Sequence, residues 1–272
     1  MTVELEHDRQ TVSEETRTGR PARRGARAWS EPLRWLFVPW TVLVTWPWIA
    51  VSTTVNGALA VTLSAVSQRL GFYAGVVWAR SLTWGTWVRV RVEGRDLVRP
   101  NQSYVIMSNH QGAYDILALY GFLGRQFRWV MKEELRKVPF LGWGCAAIGH
   151  IFVDRGNSSR AIASLEAATR RLAGGVSVLI FPEGTRSDDG RLLPFKKGGF
   201  AMARQLNLPI LPVSIAGSGR ILPKACLFPR PGTIRVRFHA PIDPHDFPVT
   251  AELIRRVRAA IDSGLELDES RS

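Results

Sequence analysis

The sequence predicts an α/β protein, a layered and largely parallel sheet flanked by helices, with an N-terminal membrane-associated helical hairpin. Three observations predict it. After Trp87 short β-branched runs alternate with helical stretches, the pattern of a sheet whose faces are covered by helices. Before Trp87 lies a run of 34 residues without a charge, Trp35 to Gln68. Eight of the 10 tryptophans fall at or before Trp87. The chain of 272 residues is ample for one sizeable core. Its 46% hydrophobic and 22% charged residues exclude wholesale disorder. Two cysteines are too few for a disulfide scaffold or a four-cysteine zinc site. A net charge of +13 calls for an anionic partner without choosing among nucleic acid, lipid headgroups and phosphorylated metabolites.

Residues 1–30 are polar and crowd Arg17, Arg20, Arg23, Arg24 and Arg27 together, a disordered basic tail that is either solvated or resting on anionic lipid. A secretory signal is not expected, because the apolar segment starts late and runs too long. Residues 31–86 form the expected membrane-associated two-helix segment. As one straight helix the uncharged run would measure about 51 Å, against a hydrocarbon core of roughly 30 Å. A break near Pro47 or Asn56-Gly57 would make a hairpin that enters the bilayer and returns. Arg27 and Arg34 precede the run, and Arg69 and Arg80 follow it, which puts both ends and the domain that follows on the cytoplasmic face. Trp29, Trp35, Trp40, Trp46 and Trp48 suit the interface, ring inward and N–H toward headgroups. The other readings of this segment are a single membrane span and a helical pair buried on the soluble domain.

Residues 87–265 form the α/β domain. Strands are expected at Val88–Val92, Ser103–Ser108, Arg128–Met131, Ile151–Val153, Val176–Phe181, Ile210–Ile215 and Ile234–Phe238. Helices are expected from about Asp115, at Ser158–Leu172 ahead of Gly174-Gly175, at Gly198–Leu206 and at Thr250–Ile261, with a tail at 266–272. Such a sheet presents its sites at the C-terminal ends of the strands.

Two motifs stand at such ends. In Asn109-His110-Gln111-Gly112-Ala113-Tyr114-Asp115, His110 leaves a strand and Asp115 opens the next helix. That turn can fold the carboxylate onto the imidazole, fixing its tautomer and leaving the other nitrogen to accept a proton. It is a triad without a protein nucleophile, and a substrate hydroxyl would complete it. A histidine that only caps a strand end fits the same spacing. The second motif, Phe181-Pro182-Glu183-Gly184-Thr185-Arg186-Ser187, follows an apolar strand. Gly184 and Thr185 offer backbone N–H groups and Arg186 a fork that matches phosphate. Glu183 would accept from a hydroxyl or hold Arg186. An ordinary surface turn has the same composition.

Lys132, Arg155 and Lys196-Lys197 also fall near strand ends or glycine turns and could add to an anion cradle, or be solvated charges. Backbone N–H groups near Gly112 or Gly184 are the oxyanion-donor candidates. The histidines show no metal-ligand spacing, so no metal is expected. Nucleic-acid signatures are not apparent, so no nucleic-acid partner is expected. A hydrolase built on Cys145 or Ser108 is disfavoured by the apolar setting of Cys145 and the lack of a G-x-S-x-G elbow. A non-enzymatic basic lipid-binding protein is the remaining class.

The motifs, in this order, resemble the glycerolipid acyltransferase family and its 1-acylglycerol-3-phosphate acyltransferase branch. The resemblance rests on N-H-x4-D at Asn109, His110 and Asp115 and on the complete Phe181–Ser187 block. Ile151-Phe152-Val153-Asp154-Arg155, Leu211-Pro212-Val213 and Lys132-Glu133-Glu134-Leu135 extend it, over about residues 35–245. It implies transfer of a fatty acyl group from acyl-CoA or acyl carrier protein to the free hydroxyl of lysophosphatidic acid, giving phosphatidic acid for phospholipid biosynthesis, with no cofactor. It also implies His110 as general base, Asp115 as its orienter, and glycerol phosphate held by Glu183, Gly184, Thr185 and Arg186, with help from Lys132 and Arg155. The acceptor could instead be a lyso-ornithine lipid, lyso-glycolipid or other lysophospholipid.

Overall fold

In the computed structural model, which describes residues 38–154, 176–223 and 226–269, the valine, isoleucine and leucine runs form seven strands. These are β1 (Val88–Glu93), β2 (Val105–Ser108), β3 (Phe127–Lys132), β4 (Ile151–Val153), β5 (Ser177–Ile180), β6 (Ile210–Ala216) and β7 (Gly232–Phe238). They make one sheet in the order β1-β7-β6-β2-β5-β3-β4. All neighbours are parallel except β6 and β7. All seven expected strands are present. The basic tail, Arg155 and the expected helix at Ser158–Leu172 lie outside the described residues.

The helices are α1 (Trp46–Val66), α2 (Gln68–Gly85), α3 (Tyr114–Phe122), α4 (Leu141–Ile148), α5 (Gly198–Gln205), α6 (Ser218–Ile221) and α7 (Thr250–Glu269). Central strands β2 and β6 are buried at every residue, because helices cover both faces of the sheet. Successive side chains of β2 alternate between two cores. Ile106 enters the core with Phe72, Leu119, Tyr120 and Phe127, under α2 and α3. Val105 and Met107 enter the other, with Phe200, Leu253, Val257 and Ile261 of α5 and α7.

A hairpin forms, but not the expected one: the uncharged run makes a single helix, and Arg69 and Arg80, expected to flank the pair, lie within its second helix. Among the described residues one helical stretch, Val38–Val66, is long and apolar enough to cross a membrane. The break falls at Ser67, not at Pro47 or Asn56-Gly57. Pro47 lies inside the continuous helical stretch, and the turn before it, Thr41–Thr45, widens to π geometry, the local adjustment that accommodates a residue without an N–H. Gly57 is needed for close approach, since a Cβ there would meet the Phe140 carbonyl at 2.6 Å. At Ser67 the backbone is extended, and the Ser67 side chain accepts the Arg69 N–H to cap α2.

α1 turns Ser52, Gly57 and Ala60 inward and leaves Val51, Val55 and Leu59 exposed. α2 likewise exposes Leu70, Tyr73, Val77 and Trp84. α7 runs on to Glu269, beyond the expected stop at Ile261. Gly264 reads as a helix stop but serves a close contact with Ser214 and His239.

Candidate active site

β2 delivers His110 to the C-terminal edge of the sheet, and α3 begins at Tyr114 with Asp115 in its first turn. The carboxylate folds back as the spacing predicts. Asp115 Oδ2 lies 2.7 Å from His110 Nδ1 and accepts the N–H groups of Gln111 at 2.7 Å and Gly112 at 2.9 Å. Asp115 is fully buried, while the His110 side chain keeps 14% exposure. A carboxylate only accepts, so Nδ1 carries the proton and Nε2 presents a lone pair toward solvent. The His110 ring stacks on Phe181, with centroids 4.1 Å apart and planes 14° apart, which fixes its orientation.

The two motifs are brought together. Glu183 Oε1 accepts the His110 backbone N–H and Oε2 accepts the Leu193 N–H, both at 2.8 Å. The Ser187 N–H donates to the His110 carbonyl at 2.8 Å, and Gln111 Nε2 donates to the Gly190 carbonyl. Glu183, at 3% exposure, is therefore a clasp between loops rather than a group held out to a ligand. Burial raises its pKa, and the N–H groups of Leu193 and His110 work against that rise.

Gly184 adopts φ +72°, and a Cβ there would meet Lys196 Cε at 2.8 Å, so the Lys196 chain lies against the turn. Thr185 is exposed and Arg186 half-buried on the same turn. Lys132, at the end of β3, is 53% exposed and paired with Glu134 at 2.8 Å. It lies two strands from β2 in the sheet order.

The Gly112 N–H is taken by Asp115 and the Gly184 N–H by the Phe181 carbonyl, so both oxyanion-donor candidates are engaged within the fold. Cys145 is buried in α4 and its thiol is pushed up to about 12 by burial, while Ser108 is fully buried with its hydroxyl on the Asn109 carbonyl. Neither is placed as a nucleophile.

Two residues gain roles the sequence did not assign. Asn109 pairs with Ile215 in both directions, Nδ2 to its carbonyl and its N–H to Oδ1, each at 2.8 Å. The side chain thus extends the β2–β6 ladder and fixes where His110 leaves the sheet. Phe181 supplies the stacking face. Both lie inside the quoted motifs, but their partners are distant in sequence.

Comparison with known proteins places this geometry. The acyltransferase family model matches residues 89–216, which contain both motifs. The 1-acyl-sn-glycerol-3-phosphate acyltransferase of Pseudomonas aeruginosa is 36% identical over 194 residues, 69% of this chain and 75% of that protein. The Chlamydomonas reinhardtii enzyme of that name is 29% identical over 212 residues, 77% of this chain and 63% of that protein. The chain spans about half the length of two chloroplast relatives, from Arabidopsis thaliana and Brassica napus. The crystal structure of the 1-acyl-sn-glycerophosphate acyltransferase PlsC from Thermotoga maritima superimposes with a TM-score of 0.77 at 27% identity, covering 88% of this chain and 99% of that one. With the fold, the order of the motifs and this identity in agreement, the chain belongs to the 1-acyl-sn-glycerol-3-phosphate acyltransferase family.

Proposed function

We propose that this protein transfers a fatty acyl group from an acyl thioester, acyl-CoA or acyl carrier protein, to the free hydroxyl of 1-acylglycerol 3-phosphate, giving phosphatidic acid. The observation that carries the reading is the His110–Asp115 pair beside the Gly184–Arg186 turn, with neither Ser108 nor Cys145 placed as a nucleophile. His110 Nε2 takes the hydroxyl proton as the substrate oxygen attacks the thioester carbonyl. Asp115 stabilises the imidazolium that forms. Collapse of the tetrahedral intermediate breaks the C–S bond, and the imidazolium returns its proton to the departing thiolate. A positioned base of this kind contributes about 10²–10⁴-fold. Arg186 and Lys196 supply the charge for the glycerol phosphate, and Lys132, at the end of β3, adds to it from two strands away.

The exposed apolar faces of α1 and α2 support a membrane setting, in which the hairpin holds the crevice at headgroup depth. We infer that the domain faces the cytoplasm, as Arg27 and Arg34 ahead of the hairpin favour. Leaving the acyl chains in lipid avoids about 0.8 kcal/mol per exposed CH₂.

The test is an assay of purified protein with labelled acyl thioester and lysophosphatidate. His110→Ala is expected to abolish transfer while vesicle binding persists, and full activity would remove the proposed base. Arg186→Ala is expected to raise the KM for lysophosphatidate by ~10–100-fold, the worth of a charged hydrogen bond, with little change for the donor. An uncharged lyso-glycolipid in parallel separates the acceptors.

A further inference from the structure

At the corner where α1 begins, α2 ends and β7 begins lies a predominantly apolar cleft of about 210 Å³, lined among others by Trp40, Thr45, Gly85, Trp87, Pro229 and Pro231. The cleft lies on the same edge of the sheet as His110. β7 runs opposite to β6, and Ala216 pairs with Arg235, so Gly232 and Val88 begin where β2, β5 and β6 end. Contact between the two places is continuous. Gly112 packs on the Ser218 carbonyl, Gly217 packs on the Thr233 carbonyl, and Arg230 donates its N–H to Ile221 of α6.

In the sheet order His110, on β2, stands between two unlike flanks. On the β5 side are Arg186 and Lys196. On the β7–β1 side, two to three strand spacings across and about four residues further along the strand direction, roughly 16–19 Å in all, is the apolar cleft. A second observation marks the cleft. Trp87, at its wall, holds φ +57°, a conformation bulky residues rarely adopt, and its ring meets that of Trp40 edge-on at 6.4 Å.

We propose that this cleft seats the acyl chain already carried by the lysophosphatidate acceptor, an inference that rests on the acceptor reading above. The polarity of that molecule matches the order of the flanks: phosphate on the basic side, reacting hydroxyl at His110, chain toward the tryptophans. An apolar cavity of ~150 Å³ already takes a benzene ring, so the volume suffices for several methylenes. The rest of the chain leaves past Trp40 and Trp87, both exposed, toward the apolar faces of the hairpin.

Two measurements test the proposal. In the first, the wild-type protein in vesicles is irradiated with lysophosphatidate carrying a diazirine midway along its acyl chain, or with an acyl thioester carrying the same group, and the adducts are mapped. The acceptor probe is expected to label Trp40, Trp87 or the Pro229–Pro231 segment, and the donor probe to label elsewhere. In the second, Thr45→Phe narrows the cleft. Its kcat/KM for octadecanoyl lysophosphatidate is expected to fall about tenfold, some 1.4 kcal/mol, relative to the octanoyl homologue, with the donor chain-length profile unchanged. Cleft labelling by the donor probe, or a shifted donor profile in Thr45→Phe, would overturn the proposal. Phosphatidate formed by wild-type protein with the cleft unlabelled by either probe would also overturn it. Failure of the acceptor reading looks different: the wild-type protein then forms no phosphatidate.

Discussion

At the residue scale, one carboxylate oxygen organises the site. Asp115 Oδ2 holds the His110 imidazole and two backbone N–H groups at once, so it sets both the tautomer and the turn that carries it. Asp115→Asn can keep an acceptor in that place but loses the charge that stabilises imidazolium. We expect kcat to fall ~10²–10⁴-fold with acceptor KM little changed. Steady-state kinetics on folded protein checks this, and an equal rise in KM would point to collapse of the turn instead. Glu183 acts one step back, through the backbone of His110 and the Leu193 loop. Glu183→Gln sets an amide NH₂ against one of those N–H groups. It is expected to cost about 1–3 kcal/mol in denaturant unfolding and to lower kcat more than it changes KM.

At the element scale, small residues let the two helices of the hairpin meet each other and the domain, and large ones face outward. Ser52 of α1 meets Ser81 of α2 at 2.6 Å between hydroxyls, and Trp78 of α2 donates to Thr53. Gly75 of α2 lies against the Tyr120 ring of α3. Replacing exposed Val51, Val55 and Leu59 together with serine leaves these contacts intact. We expect vesicle affinity to drop ~100-fold, from about 1 kcal/mol of apolar transfer lost per site, with the melting temperature unchanged. Vesicle co-sedimentation checks it, and unchanged binding would mean that this face does not enter lipid.

At the scale of the whole molecule, pH acts through a buried histidine that ties three elements together. His150, just after α4, accepts the Trp129 N–H of β3 at 3.0 Å and lies 2.8 Å from the Tyr120 hydroxyl of α3. Burial, helped by the Arg128 charge, pushes its pKa down to about 3. Its unfolded value is about 6.5, so between those values the unfolded chain binds the extra proton. Stability is therefore full above pH ~6.5 and falls as pH drops toward 3, by at most about 1.4 kcal/mol per pH unit from this group. His239, lowered to about 4 mainly by burial, adds in the same direction. Unfolding measured from pH 7.5 to 4.5 is expected to show a shallower slope in His150→Gln, and an unchanged slope would assign the loss to other groups. How much of this could be read in advance follows from how far each interaction reaches along the chain. The strands were legible because β-branched runs report burial locally, and the His110–Asp115 pair because five residues and one turn join them. The first helix of the hairpin was legible from its missing charges. The turn at Ser67 was not, because Pro47 and Gly57 are tolerated for reasons their neighbours in sequence do not show. Sequence by itself determined the fold class, the apolar N-terminal helix, and the pairing of His110 with Asp115. Only the tertiary structure decided that Glu183 is a clasp, that Asn109 extends a ladder, and that His110 stands between a basic flank and an apolar cleft. Those depend on strand order, which brings together residues 70 to 110 positions apart through packing that no local pattern encodes.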